Sequence, residues 1–448
     1  MTARIITQAL LCWVLALIGF TAVVAQIVLF RELVVVFHGN EMSLGLILAT
    51  WLLWTAVGSG LLSRLLAGVR SPHVAVAALQ ATLALAVPLA IIAVRAVGRA
   101  FGVTTGEVLG PGMMLLASQL ALGGVCLVSG MLFAACSRLY TSVRGWATAG
   151  ATSAVYVLEA LGATVGGALA SLLFVPYLNS FEIALILSLL NFISALLLTI
   201  ADPARRATAV AVVVAAYAVV ILPFGARAIE TASLRHMWHG FQLLESRNTI
   251  YGNLAVLGTD ETRSVYANGV AMFTVPDAPS AEEAVHYALL QHPSPRRLLL
   301  VGGGMGGSLA EALKHPTLER AVYVELDPAV LDLGQLYLSG SWSPVAGDPR
   351  VATYHVDGRR FLDRTDEQFE VIVINLPDPT TAQLNRFYTR EFFQQAAHRL
   401  APGGVLSITT SGAENYISAE LGQFLRCINK TLRGVFRDVV LMPGATIH

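Results

Sequence analysis

The chain has 448 residues, of which 55% are hydrophobic and only 13% charged, with 29 basic and 29 acidic side chains and a formal net charge of zero. A water-soluble domain carries about 25% charged residues, so this composition excludes an ordinary soluble protein throughout, and the charge balance gives no reason to expect a nucleic-acid partner. Mean hydropathy is +0.65. The charge deficit is concentrated before about residue 225, and the only lysines, Lys314 and Lys430, lie beyond it.

About 20 apolar residues are needed to cross about 30 Å of hydrocarbon. Seven stretches meet that length: about 9–30, 42–63, 73–94, 111–136, 147–174, 182–200 and 207–224. Arginines such as Arg31, Arg64, Arg70, Arg95, Arg99, Arg138, Arg144, Arg205 and Arg206 punctuate them. The expected architecture for residues 1–225 is therefore a transmembrane helical bundle whose partner is the lipid bilayer. Gly162 and Gly166 in the fifth span have the spacing that lets helices approach closely. Glu159, in the same span, is expected to face the bundle interior or a wet cavity, because a carboxylate in hydrocarbon is costly. Arg31, Glu32, His38, Asn40 and Glu41 read either as an interfacial turn with local ion pairs or as a polar site opening onto the bundle. Cys12, Cys126, Cys136 and Cys427 show no metal-ligand or redox spacing, so no metal is expected.

Residues 226–245 read as a juxtamembrane linker. The next region, 246–295, holds the alternating runs TIYGNLAVLGTD and RSVYANGVAMFTV, expected to be β-hairpins. It also holds SAEEAVHYALLQHPSP, a helix with Ser280 expected at its N-cap. Over 296–448 strands alternate with helices: LLLV, AVYV, VATY, FEVIVI and GGVLSITTS. That order implies a Rossmann-like, doubly wound parallel sheet that binds ligands at the strand C-terminal ends. Gly302, Gly303, Gly304 and Gly306 flank Met305 in a loop opening a helix. Glu325, at the tip of the next strand, can accept both ribose hydroxyls. Asp357, beside Gly358 at the third tip, can accept from an adenine amino group. No GKS or GKT follows the loop, which argues against a phosphate loop.

At LLLVGGGMGGSLAEALKHP, VYVELDP, DPRVATYHVDGRRFL and INLPDPTTAQLNRFYTREFF the chain resembles the spermidine synthase family, and specifically its integral-membrane members, over about 245–448. The resemblance implies a methyltransferase/spermidine synthase fold that takes decarboxylated S-adenosylmethionine and moves its aminopropyl group to a small amine. By the same resemblance Glu325 and Asp357 are nucleoside-binding acids, and Asp378 matches the second acid of the family's DSSDP loop. Other positions depart. Met305 stands where the glycine loop carries an acid, and Asn375 where DSSDP has its first acid, the base. Gly252 stands for a glutamine and Ala281 for a tyrosine. The nucleoside half of the site is thus retained and the amine half remodelled.

With no acid at Met305 to repel a carboxylate, intact S-adenosylmethionine is also admissible, and Met305→Asp is expected to favour the decarboxylated donor. The leading expectation is an aminopropyltransferase with an altered acceptor, Asp378 holding or deprotonating the amine and Asn375 orienting it. Two alternatives stay open: a methyltransferase acting on a membrane-associated substrate, and a transporter-like bundle with a nucleoside-sensing domain. A bacterial inner membrane with the second half cytoplasmic fits a cytosolic cofactor. The small arginine excess on the N-terminal side, combined with seven spans, points the other way. A homo-oligomer is compatible with either. VFRDVVLMPGATIH ends as an alternating run begins, which suggests further sequence beyond His448.

Overall fold

The computed structural model of the protein describes residues 2–39, 41–69, 71–103, 109–145, 148–200, 225–413, 416–442 and 446–447. Two units emerge, Met1–Gly240 and Phe241–His448.

The first unit is helical: α1 (Thr2–Val36), α2 (Glu41–Gly60), α3 (Pro72–Ala100), α4 (Pro111–Arg144), α5 (Thr148–Leu169), α6 (Ser180–Ile200) and α7 (225–237). Among the described residues six segments are long and apolar enough to cross a membrane: Gln8–Val36, Glu41–Leu66, Pro72–Ala100, Pro111–Arg144, Ala149–Tyr177 and Ser180–Thr199. The seventh expected span, 207–224, lies outside the described residues. Prolines open α3 and α4, at the position where a missing N–H costs nothing.

Residues 31–36 do not form the expected turn. They continue α1, and the turn is confined to the residues that follow. The bidentate partner of Glu32 lies far along the chain. Arg95 of α3 grips it with Nε at 2.8 Å and Nη2 at 2.7 Å, and also donates to Glu230 of α7 at 2.9 Å and to Ser233 at 2.8 Å. Arg95 is 3% exposed, and so dry a bidentate pair holds three helices in one register. The small residues of α5 meet α1 as the spacing implied. A Cβ on Gly162 would strike the carbonyl of Ala16, and one on Gly19 would strike the carbonyl of Glu159. Glu159 itself is half-buried.

The second unit opens with a four-stranded antiparallel sheet in the order β1 (Gln242–Asn248), β2 (Asn253–Gly258), β3 (Arg263–Ala267), β4 (Val270–Val275). β1 starts inside the expected linker. Its half-buried, charge-bearing sequence QLLESRN hides the alternation that marks the other strands. Asn268 and Gly269, at φ +49° and +82°, make the tight turn between β3 and β4. Helix α8 (Ala278–Gln291) is capped by Asp277, which accepts from the Ser280 N–H at 3.2 Å. The cap is therefore three residues earlier than expected, because the two residues after Asp277, Ala278 and Pro279, already fit a first turn.

Strands β5 (Arg297–Val301), β6 (Arg320–Val324), β7 (Val351–Tyr354), β8 (Phe369–Ile374) and β9 (Leu400–Ile408) form a parallel sheet in the order β7-β6-β5-β8-β9. Successive side chains feed opposite cores. Leu298, Leu300, Tyr323, Val371 and Val373 enter one; Leu299, Val301, Val324, Ile372 and Ile374 enter the other. Burial on both faces explains why these strands read as unbroken apolar runs. The chain moves outward from β5 to β7 and returns to place β8 against β5's other side. The switch point between β5 and β8 is where a ligand crevice opens in such sheets.

Candidate active site

The two strands flanking the switch point carry the two loops singled out in the sequence. After β5 the chain runs through Gly302–Gly307 into α9 (Ser308–Ala312). Gly303 sits at φ +68°, and a side chain there would run into the amide of Asn375. A Cβ on Gly302 would lie 2.8 Å from the Asn375 carbonyl oxygen. The glycine loop and the tip of β8 are thus in direct contact, which no spacing in the sequence shows. The Ser308 hydroxyl donates to the Gly303 carbonyl at 3.0 Å and fixes the loop's exit.

Met305 does not face the crevice. Its side chain is fully buried, and its terminal methyl occupies the space a Cβ on Gly334 would need, in α10 (Pro328–Tyr337). Its carbonyl accepts from Ser341. The side chain that the sequence marks as the discriminator between intact and decarboxylated donor therefore lies in the core. Methionine is apolar and flexible, and the core below the loop had a gap for it. Only the backbone of Met305 remains available to a ligand.

Glu325 follows β6 directly and is 6% exposed. Tyr323 donates to its Oε2 at 3.0 Å, and the Asp327 N–H approaches Oε1 at 3.4 Å. Burial pushes the Glu325 carboxyl above the ordinary glutamate range, and the Tyr323 hydroxyl only partly offsets this. A pH dependence with two opposite signs follows. Between the ordinary value and the raised one the native state holds more protons than the unfolded chain, so Glu325 makes stability fall as pH rises through that window. Accepting two ribose hydroxyls needs the ionised form, so nucleoside affinity should fall as pH drops through the same window. Glu325→Gln should flatten both slopes; calorimetric affinities and unfolding midpoints across pH would check this, and unchanged slopes would discount Glu325.

Asp327 was not singled out in the sequence. It caps α10 through the Ala329 N–H at 3.0 Å and accepts from Thr249 at 2.6 Å. The VELDP string offered a capping signal for it, but Thr249 is 78 residues away. Asp357 caps α11 (Gly358–Arg364) through the Arg360 N–H at 3.0 Å, and its other oxygen is held by Arg386. A Cβ on Gly358 would meet Val301 at 2.5 Å, so glycine lets α11 lie against the end of β5.

Asn375 and Asp378 follow β8 and are half-buried. Asp378 accepts from the Ser411 N–H at 2.9 Å. The Tyr388 hydroxyl lies 3.3 Å from the carbonyls of both Pro377 and Thr409, and burial, with Asp378 adding to it, raises its pKa well above the ordinary value. Tyr388 pins the loop that carries Asp378, a role hidden in the aromatic string NRFYTREFF. The two positions where the resemblance implied amine-binding side chains are closely packed: Ala281 lies 3.3 Å from the Cβ position of Gly307, and Gly252 abuts the Asn268 amide. Among the described residues no three His, Cys, Asp or Glu converge as metal ligands.

Residues 279–445 match the family described as "Spermine/spermidine synthase domain". That match lies within the second unit. Curated relatives agree. A polyamine aminopropyltransferase of Thermococcus onnurineus is 36% identical over 149 residues, which is 33% of this chain and 52% of that protein. One of Oceanobacillus iheyensis is 28% identical over 263 residues, 57% of this chain and 51% of that protein. The chain thus spans about half the length of the curated relatives it matches. Among solved structures, the spermidine synthase of Thermotoga maritima is 25% identical with a TM-score of 0.39, covering 46% of this chain and 70% of that one. A spermidine synthase in complex with the transition-state analogue AdoDATO is 26% identical with a TM-score of 0.40, covering 46% and 71%.

Proposed function

We propose that this protein is a membrane-anchored aminopropyltransferase that takes decarboxylated S-adenosylmethionine and an amine, with the acceptor side of its spermidine synthase domain remodelled. One observation carries the reading: Asp357, Glu325, the glycine loop and the Asn375–Asp378 loop follow one another along the C-terminal edge of a single parallel sheet. With strands about 4.8 Å apart, the tips of β6 and β8 are about 10 Å apart, a span that suits a nucleoside at one end and its sulfonium at the other.

The amine nitrogen uses its lone pair to form a bond to the carbon next to sulfur. The carbon–sulfur bond breaks, and sulfur leaves with that electron pair as a neutral thioether. The new ammonium then sheds a proton. The sulfonium supplies the electrophile, so the protein's work is to align the amine and keep it unprotonated. Asp378 holds and deprotonates the acceptor in this reading, and Asn375, beside Gly303, orients it. Six long apolar helices among the described residues of the first unit support the membrane anchor, and in this reading the domain lies on the side where the cosubstrate is made.

A second reading, methyl transfer from intact S-adenosylmethionine to a membrane-associated substrate, draws on the absence of a carboxylate side chain in the glycine loop, where the aminopropyl ammonium would want one. Full-length protein in detergent, given each donor with a panel of amines, separates the two by mass spectrometry. Gain of an aminopropyl group supports the first, gain of a methyl group the second. No transfer with either donor would overturn both.

A further inference from the structure

We infer that Tyr323 is a positioning residue of the cosubstrate site: from the core beneath the sheet edge, its hydroxyl aims Glu325 at the ribose and ties that carboxylate to the glycine loop. The inference rests on the nucleoside reading above.

Tyr323 lies in β6 and Glu325 follows that strand two residues later, a spacing that sends both side chains to the same face of the sheet. Tyr323 is fully buried, and a buried hydroxyl is costly unless it is hydrogen-bonded. Here it donates to Glu325 Oε2 at 3.0 Å, and the backbone N–H groups of Met305 and Gly304 donate toward its oxygen. The ring itself lies against the loop. A Cβ on Gly304 would stand 2.7 Å from the Tyr323 Cε2 and 2.8 Å from its Cζ. One phenol therefore touches two elements of the site, the acid that would accept from the ribose and the loop that packs against Asn375.

Glu325 has the Asp327 N–H at 3.4 Å from its other oxygen, so the phenol supplies the shorter bond and sets the direction of the carboxylate. Burial and the Asp327 carboxylate oppose the ionised form of Glu325, while the Tyr323 hydroxyl and the N–H groups of Asp327 and Leu326 favour it. Without the hydroxyl, Glu325 takes up its proton at a higher pH and no longer accepts from both ribose hydroxyls. A residue that only filled the core would change neither property.

The test is titration calorimetry across pH on the full-length protein in detergent, with 5′-methylthioadenosine and its 2′-deoxy analogue as probes. Wild type should prefer the ribonucleoside by roughly tenfold or more, the scale of one hydrogen bond to a charged group. Tyr323→Phe keeps the ring beneath Gly304 and deletes only the hydroxyl. It should lose most of the ribose preference, and its affinity for 5′-methylthioadenosine should fall off at a higher pH than in wild type. Tyr323→Met, which fills the space with a flexible apolar chain, reads the same two quantities should the phenylalanine variant not fold. A ribose preference or a pH profile that stays at the wild-type value would reduce Tyr323 to packing and overturn the inference, leaving the nucleoside site standing. Wild type that binds neither probe would remove the nucleoside reading and this inference with it.

Discussion

Asn375→Asp should raise aminopropyl transfer to a simple diamine such as putrescine by about 10²-fold or more, the scale of a well-placed general base. The Asn375 side chain lies against Gly303, at the contact between the glycine loop and the tip of β8. A carboxylate of the same size there changes charge without changing shape. It would stand at the switch point of the sheet, where in the proposed function the amine approaches the sulfonium. Asp378→Asn should act in the opposite direction and lower transfer by a similar factor.

The second substitution separates two roles. Asp378 accepts from the Ser411 N–H at 2.9 Å, so it anchors its loop whatever else it does. An asparagine oxygen can accept the same hydrogen bond, so the anchor survives while the charge is lost. Wild-type turnover in Asp378→Asn would reduce the residue to that anchor. Rapid putrescine turnover by the unmodified protein would show that a base at Asn375 is dispensable. Product formation by mass spectrometry reads all three proteins in one assay.

Met305→Asp should destabilise the second unit by about 2–5 kcal/mol from lost packing alone, with the cost of burying a carboxyl added to it. Met305 is fully enclosed beside Leu309, Leu333 and Leu338, with its methyl over Gly334. None of these neighbours can donate a side-chain hydrogen bond to an acid. The measurement is denaturant unfolding followed by a probe in the second unit, with Met305→Leu as a control of near-native stability. A stable Met305→Asp protein with a new preference for the decarboxylated donor would mean that the loop can turn this side chain into the crevice.

Periodicity and local chemistry carry a large part of this molecule in the sequence itself. A run of about 20 apolar residues has few fates but a long buried or membrane helix, so six long helices were legible one by one. Alternation of strand, glycine loop and helix implies a parallel sheet, because only a crossover helix returns the chain to a parallel neighbour. That in turn placed Glu325, Asp357, Asn375 and Asp378 after successive strands. β1 escaped because QLLESRN is charged and half-buried, and the cap of α8 was set three residues late.

Side-chain direction and long-range partners were decided only by tertiary structure. Met305 occupies the position of an acid in the resembled family, yet the core beneath the loop offered apolar space, and the side chain fills it. Glu32 has Arg31 beside it in sequence, but its bidentate partner is Arg95, 63 residues away, because helix packing brings α3 against α1. Asp357 and Arg386 are 29 residues apart, and their pairing exists because β7 and the segment after β8 end at the same edge of the sheet. Sequence spacing reports which residues share an element and a face; which of them meet depends on how the elements pack, and packing is a property of the whole fold.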